Sequence, residues 1–191
     1  MVLIASMDGA LGFRRRKRKS YHRYQLHDVI DECITDVYKR QYNIHSIYHV
    51  NGKGGIWNYW DRNLTDWMLT NSSKGNKLIM IGKSFGAFDL AEIYKNNIGL
   101  LEYKKRAFIS IDPDRIFRRG RNLYIPKMDY SCNIIQQDTL LHGCDLYEYS
   151  DSTSNKVDNI YIKHSDHFSI VNSRLVRDEI FSIIQYYSEV L

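Results

Sequence analysis

Two prolines and eleven glycines in 191 residues are too few for a collagen-like or proline-rich chain. The three cysteines, Cys33, Cys132 and Cys144, are an odd number with no Cys-x-x-Cys spacing. That excludes a disulfide framework or a zinc ribbon as the basis of the fold, and makes a reducing, cytoplasmic setting the default expectation. No apolar run approaches the roughly 18–20 residues of a membrane-spanning helix. The mildly apolar opening Met1–Phe13 is followed, not preceded, by basic residues, the reverse of a secretory signal. A pervasive charge of one sign is missing too. The formal net charge is +5, but the run Arg14–Lys19 supplies six of the 27 Lys and Arg, leaving 21 against 22 Asp and Glu. The charge balance therefore calls for no nucleic-acid partner. The run itself reads as a solvated tail, with a nuclear signal or an anionic-surface arm as the functional alternatives.

What the chain does have is a core. Apolar residues make up 43% of it and aromatics 13%, enough to bury a single domain without a metal or disulfide. Asp36-Val37-Tyr38-Lys39-Arg40-Gln41 reads like the translation of a transposon-end sequencing adapter. Residues 1–41 are accordingly expected to be a basic leader, chimeric or disordered, and residues 42–191 the folded domain. The alternative for the hexapeptide is an ordinary charged helix end.

After residue 41 the chain alternates between two periods. Ile44–Val50, Lys77–Ile81, Arg106–Ile111, Ser131–Gln136 and Asn159–Lys163 suit strands. Trp60–Leu69, Phe85–Tyr94 and Arg174–Val190 carry apolar residues at helical spacing. Residues 114–130 read as an irregular, basic surface excursion. Strands alternating with helices predict an α/β fold, a three-layer sandwich around a mostly parallel sheet with a minimal lid or none.

Gly82-Lys83-Ser84-Phe85-Gly86 is a Gly-x-Ser-x-Gly between a short apolar strand and a helix. That is the setting of a nucleophile elbow, where a strained turn lifts the serine Oγ above the sheet and small flanking residues let helix and strand approach. The helix start aims N–H groups and a positive dipole at the reaction centre. A glycine-rich turn with a helix-capping serine is the bland alternative.

With this motif, Ile109-Ser110-Ile111-Asp112-Pro113 and Asp166-His167-Phe168-Ser169-Ile170, the stretch from about residue 44 to 190 resembles the α/β-hydrolase superfamily, specifically its small lipase- and esterase-like members. The resemblance implies a serine nucleophile at Ser84, an orienting acid at Asp112 and a base at His167, in the family's chain order. It also implies an oxyanion hole from the Phe85 N–H and a backbone N–H of the turn Asn51-Gly52-Lys53-Gly54-Gly55, with Gly52 and Lys53 as candidates. The expected activity is hydrolysis of a carboxylic ester or thioester, from a small molecule or a lipid, without a cofactor or metal.

Other assignments remain open. Asp138 and Asp145 follow the next strand and compete with Asp112 for the acid. His164 reads as a strand-end residue, His49 and His142 as structural or rim residues. His164-Ser165-Asp166-His167 resembles part of a binuclear metallohydrolase signature, but Ile162 stands where a further ligand is needed. Trp57, Tyr59, Trp60 and Trp67 are either helix packing or an aromatic pocket wall. The same triad could serve amide or peptide hydrolysis, and the same fold could be a non-catalytic binding module.

Overall fold

A computed structural model describes residues 1–9, 26–38, 44–50, 62–113, 122–137, 143–150, 153–167 and 169–189. In chain order the described elements are β1 (Val2–Met7), α1 (Leu26–Tyr38), β2 (Ile44–Val50), α2 (Arg62–Thr70), β3 (Ser73–Lys83), α3 (Phe85–Asn97), β4 (Tyr103–Ile111), β5 (Leu123–Pro126), β6 (Tyr130–Gln136), β7 (Leu146–Ser150), β8 (Thr153–Lys156), β9 (Asn159–Ile162) and α4 (Arg174–Glu189). Six strands form one sheet in the order β2-β1-β3-β4-β6-β9, and each of these pairings is parallel. A small sheet, β5-β7-β8, pairs β5 with β7 in parallel and β7 with β8 antiparallel. The expected α/β class with a parallel sheet is therefore what the chain forms.

Side chains alternate across the central strands, so each strand feeds two cores. Val2 and Ile4 of β1, Ile79 and Ile81 of β3, and Ile109 and Ile111 of β4 pack with α1 and α4 on one face. Leu3, Ala5 and Met7, Leu78 and Met80, and Phe108 pack with α2 and α3 on the other. Leu123, Ile125 and Leu146 of the small sheet join this second core. Strands buried on both faces read as near-continuous apolar runs, and Lys-Leu-Ile-Met-Ile in β3 is such a run.

The division of the chain at residue 41 is corrected by this arrangement. Val2–Met7 is a central strand, between β2 and β3, and all six of its residues are buried. In α1, Leu26, Val29, Ile30, Cys33, Ile34 and Val37 are buried in the α4-side core, and the Cys33 thiol lies 3.7 Å from the Arg177 carbonyl oxygen that accepts from it. Burial pushes the Cys33 thiol pKa up to about 12, with Asp36 and Asp178 adding to the rise, so it is an inert packing group. A six-residue segment that is apolar except for Ser6 and is ended by Asp8-Gly9 is a strand signal in its own right. The basic run Arg14–Lys19 lies outside the described residues, as do 39–41 of the adapter-like hexapeptide.

The helix that closes the fold is tied to the sheet by a buried cation. Lys77, at the bottom of the buried part of β3, donates from Nζ to the Tyr187 carbonyl oxygen at 2.7 Å. This satisfies one of the orphan carbonyls in the last turn of α4 and complements its dipole. Burial, then the nearby Lys104 and Lys105, hold the Lys77 ammonium below its ordinary pKa. Among the described residues no helix is long and apolar enough to cross a membrane.

Because β1 is interior to the sheet, a chain beginning at residue 42 should express as insoluble or molten protein, without a cooperative thermal transition. Ile4→Ala in the full chain should cost about 2–5 kcal/mol in denaturant unfolding. A truncated chain that melts cooperatively would show that β1 is dispensable.

Candidate functional site

The site is assembled at the carboxyl ends of β1, β3, β4 and β9, where loops leave a parallel sheet and reactive side chains gather. β3 ends at Lys83 and α3 starts at Phe85, so the whole strand-to-helix turn is made by Ser84. Its backbone stands at φ 56°, ψ −127°, a sparsely populated region for a residue with a side chain, at a cost on the order of 1–3 kcal/mol. The flanking glycines permit that turn. A Cβ on Gly82 would lie 2.4 Å from the Ala87 Cα, and one on Gly86 would lie 2.2 Å from the Met7 carbonyl oxygen. Ser84 makes no side-chain cap to α3, so the capping alternative does not account for it. Its hydroxyl is turned to a histidine instead.

His167 receives it. The Ser84 Oγ lies 2.9 Å from His167 Nε2, and His167 Nδ1 lies 2.5 Å from Asp112 Oδ2. In the tautomer that carries its proton on Nδ1, His167 donates to Asp112 and turns the Nε2 lone pair to the serine hydroxyl. All three side chains are buried, with Asp112 at 0%, His167 at 3% and Ser84 at 5% exposure. Low exposure strengthens each of these hydrogen bonds relative to water.

Local structure holds each member. Asp112, directly after β4, has φ 45°, and its N–H donates to the Ile134 carbonyl at 2.7 Å, carrying the β4–β6 pairing one residue past the strand end. The Gln136 N–H donates to Asp112 Oδ1 at 3.4 Å, and Gly143 packs so closely that a Cβ there would come 2.8 Å from the same oxygen. His167 sits in a turn held by a reciprocal pair: the Ser169 N–H donates to Asp166 Oδ1 at 2.7 Å, and the Asp166 N–H to Ser169 Oγ at 3.1 Å. The next residues, Ile170 and Val171, are fully buried and anchor this turn to the α4-side core.

The remaining candidates are distributed as follows. Phe85 begins α3 directly after Ser84, so its backbone N–H lies in the first turn of that helix. Gly52 and Lys53 lie outside the described residues, and the strand they follow, β2, is the edge strand, separated from β3 by β1. The segment that does adjoin the serine follows β1: a Cβ on Gly9 would meet Ser84 Cβ at 2.7 Å and Oγ at 2.9 Å. The opening Met1–Phe13 carries no motif that marks Gly9 as a neighbour of the serine. Gln136 and Gly143 carry no sequence signal, since only the fold brings them to Asp112.

Asp138 and His142 lie outside the described residues. Asp145 is committed elsewhere, accepting from Asn159 Nδ2 at 2.9 Å and pairing with Lys156 Nζ at 2.8 Å. His164 is exposed just beyond β9, with φ 60°. Among the described residues no group of three His, Cys, Asp or Glu side chains is placed to hold a metal ion. His49 is structural, since Nδ1 pairs with the Ser6 hydroxyl at 2.5 Å and Nε2 with Asp31 Oδ1 at 3.1 Å, tying β2 to β1 and α1. Trp67 fixes α2 to β2 through Nε1 to the Ser46 hydroxyl, 3.1 Å, and a ring contact with Tyr48. Trp57, Tyr59 and Trp60 lie outside the described residues.

One further carboxylate stands on the helix that follows Ser84. Asp89 is half-buried, and burial, then the neighbouring Glu92, push its pKa from 3.8 up to about 7. A carboxyl that holds its proton more tightly folded than unfolded stabilises the protein below about pH 4, and that contribution is lost as pH rises through about 7. Asp89→Asn should therefore raise Tm at about pH 8, and the gain should vanish near about pH 4. An equal effect at both pH values would show that Asp89 ionises normally.

Comparison of the chain with protein-family models, with curated proteins and with solved structures finds no match in any of the three.

Proposed function

We propose that the chain is a serine hydrolase of the α/β-hydrolase type, cleaving a carboxylic ester or thioester through an acyl-enzyme. The observation that carries this reading is the continuous hydrogen-bonded path from Ser84 Oγ through His167 to Asp112, with spacings of 2.9 and 2.5 Å. A serine hydroxyl is a poor nucleophile unless a base takes its proton during attack, and His167 Nε2 has the position and the lone pair for that step.

In the proposed reaction Ser84 Oγ bonds to the substrate carbonyl carbon as its proton passes to His167 Nε2. Asp112 keeps the imidazole in the tautomer that can accept, and stabilises the cation. The C–O or C–S bond to the leaving group then breaks, and the leaving group departs with the proton from His167. Water repeats the sequence: its proton goes to His167, its oxygen adds to the acyl carbon, and Ser84 leaves reprotonated. The developing oxyanion is assigned to the Phe85 N–H and to the segment after β1, because Gly9 packs directly on Ser84. Strain held at Ser84 before substrate arrives reduces the reorganisation needed for attack.

Two variants test the assignment on short 4-nitrophenyl esters and with a fluorophosphonate probe. Ser84→Ala should abolish both turnover and labelling while leaving Tm close to wild type. Asp112→Asn should lower kcat by roughly four orders of magnitude, because the amide favours the wrong imidazole tautomer. Turnover retained in folded Ser84→Ala protein would sink the serine-hydrolase reading, and a folded wild type that neither reacts nor labels would favour the binding module.

A further inference from the structure

Lys83 has no role in this chemistry, yet it ends β3 immediately before Ser84 and is only 7% exposed. Alternation along β3 puts it in the row of Ile79 and Ile81, on the α1/α4 face. Ile170 and Val171, which anchor the His167 turn, pack on that same face. The stem is packed while the ammonium at its tip keeps access to solvent, so a partner from the protein is not required.

Lys77, on the same strand and 6% exposed, has such a partner in the Tyr187 carbonyl oxygen at 2.7 Å. Lys83 has no equivalent: among the described residues no hydrogen bond or ion pair engages its side chain. The carboxylates at the adjacent strand ends are both committed. In register, Met7 lies opposite Gly82, which brings Asp8 next to Lys83. Asp8 accepts from the Gly9 N–H at 2.9 Å and from the Leu26 N–H at 3.3 Å. Its charge is thus matched by the start of α1, where the helix dipole is positive. On the other side, Asp112 follows Ile111, the register partner of Lys83, and its two oxygens face His167 and Gln136. One cation is left over, one residue from the hydroxyl that attacks.

We propose that Lys83 is the anion-recognition residue of the site, and that the substrate is an ester carrying a carboxylate close to the scissile bond. This rests on the reading of Ser84 as the nucleophile. The carboxylate would form the charge-assisted hydrogen bond that Lys83 lacks. Such a bond is worth a factor of roughly 10 to 100 in affinity, and it acts on binding of the ground state as well as the transition state, so it falls mainly on KM.

The test compares isosteric ester pairs. On the acyl side, the mono-4-nitrophenyl ester of glutaric acid is set against 4-nitrophenyl valerate. On the leaving-group side, 3-(butyryloxy)benzoate is set against phenyl butyrate. Wild type should prefer the charged member of one pair by roughly 10- to 100-fold in kcat/KM, and the pair that responds tells which side of the ester carries the charge. Lys83→Met should erase that preference through KM. If Lys83→Met does not fold, the wild-type preference should still shrink as ionic strength rises from about 0.02 to 0.5 M, because salt screens the pair.

Preference for the neutral esters in both pairs, a preference retained by Lys83→Met, or one indifferent to salt would each overturn the proposal. If Ser84 labels with fluorophosphonate and neutral esters turn over without discrimination, only the anionic-substrate inference fails. If Ser84 neither labels nor hydrolyses any ester, the hydrolase reading fails and takes this inference with it.

Discussion

A Cβ on Gly86 would stand 2.2 Å from the Met7 carbonyl oxygen, and one on Gly82 would stand 2.4 Å from the Ala87 Cα. Backbone therefore approaches backbone on both sides of Ser84, and the turn closes only because neither flanking residue has a side chain. The close approach to β1 makes the turn depend on that strand's position. The close approach of α3 to β3 sets the direction in which the serine hydroxyl leaves the sheet. Everything at the site is measured from this turn: where His167 must stand, which strand end supplies the acid, and which backbone borders the hydroxyl.

The strain at Ser84, on the order of 1–3 kcal/mol, is held by elements that are themselves deeply packed. β1 and β4 flank β3, and the carboxyl-end halves of all three are buried on both faces. Each fully buried Val, Leu or Ile contributes about 1.5–3 kcal/mol relative to exposure, so a few such residues offset the strained residue. The Ser84 N–H also donates to the Ile111 carbonyl at 3.0 Å, so the turn stays in the sheet's hydrogen-bond network up to the residue that bends. Asp112, with φ 45°, bends one residue beyond that bond and keeps its own N–H on β6. Two neighbouring strands thus end in two strained residues whose side chains both meet His167.

Charge at the site is distributed with equal economy. Asp112 faces His167, and Asp8 faces the start of α1. Lys77 donates to a carbonyl oxygen far from the chemistry, at the other end of its strand. Against this pattern of matched groups Lys83 is the exception, and the exception lies beside the reacting hydroxyl. Lys156 of the small sheet pairs with Asp145, and Asn159 of β9 donates to Asp145 while accepting from Asn133 of β6, so Asp145 is drawn away from the histidine.

Much of this was legible in the residues themselves. The apolar run before Gly82, the serine between two glycines and the helical spacing after it are local patterns, and local patterns survive as strand, turn and helix because backbone sterics dictate them. Asp112 and His167 could be nominated because each follows a strand, and strand ends in a parallel sheet share one edge. The place of β1 could not be read in the same way. Strand order is a matter of non-local pairing, and nothing within Val2–Met7 says that it lies between β2 and β3. Hence the placing of Gly9 beside Ser84 is visible only in the fold, as are the strand and helix that Val2–Met7 and Leu26–Tyr38 contribute to the core. The choice among Asp112, Asp138 and Asp145 and the unpaired state of Lys83 among the described residues are likewise tertiary facts. Residue type says which groups can form a hydrogen bond or carry a charge, but only packing decides which of them come within 3 Å of one another and which are left without a partner.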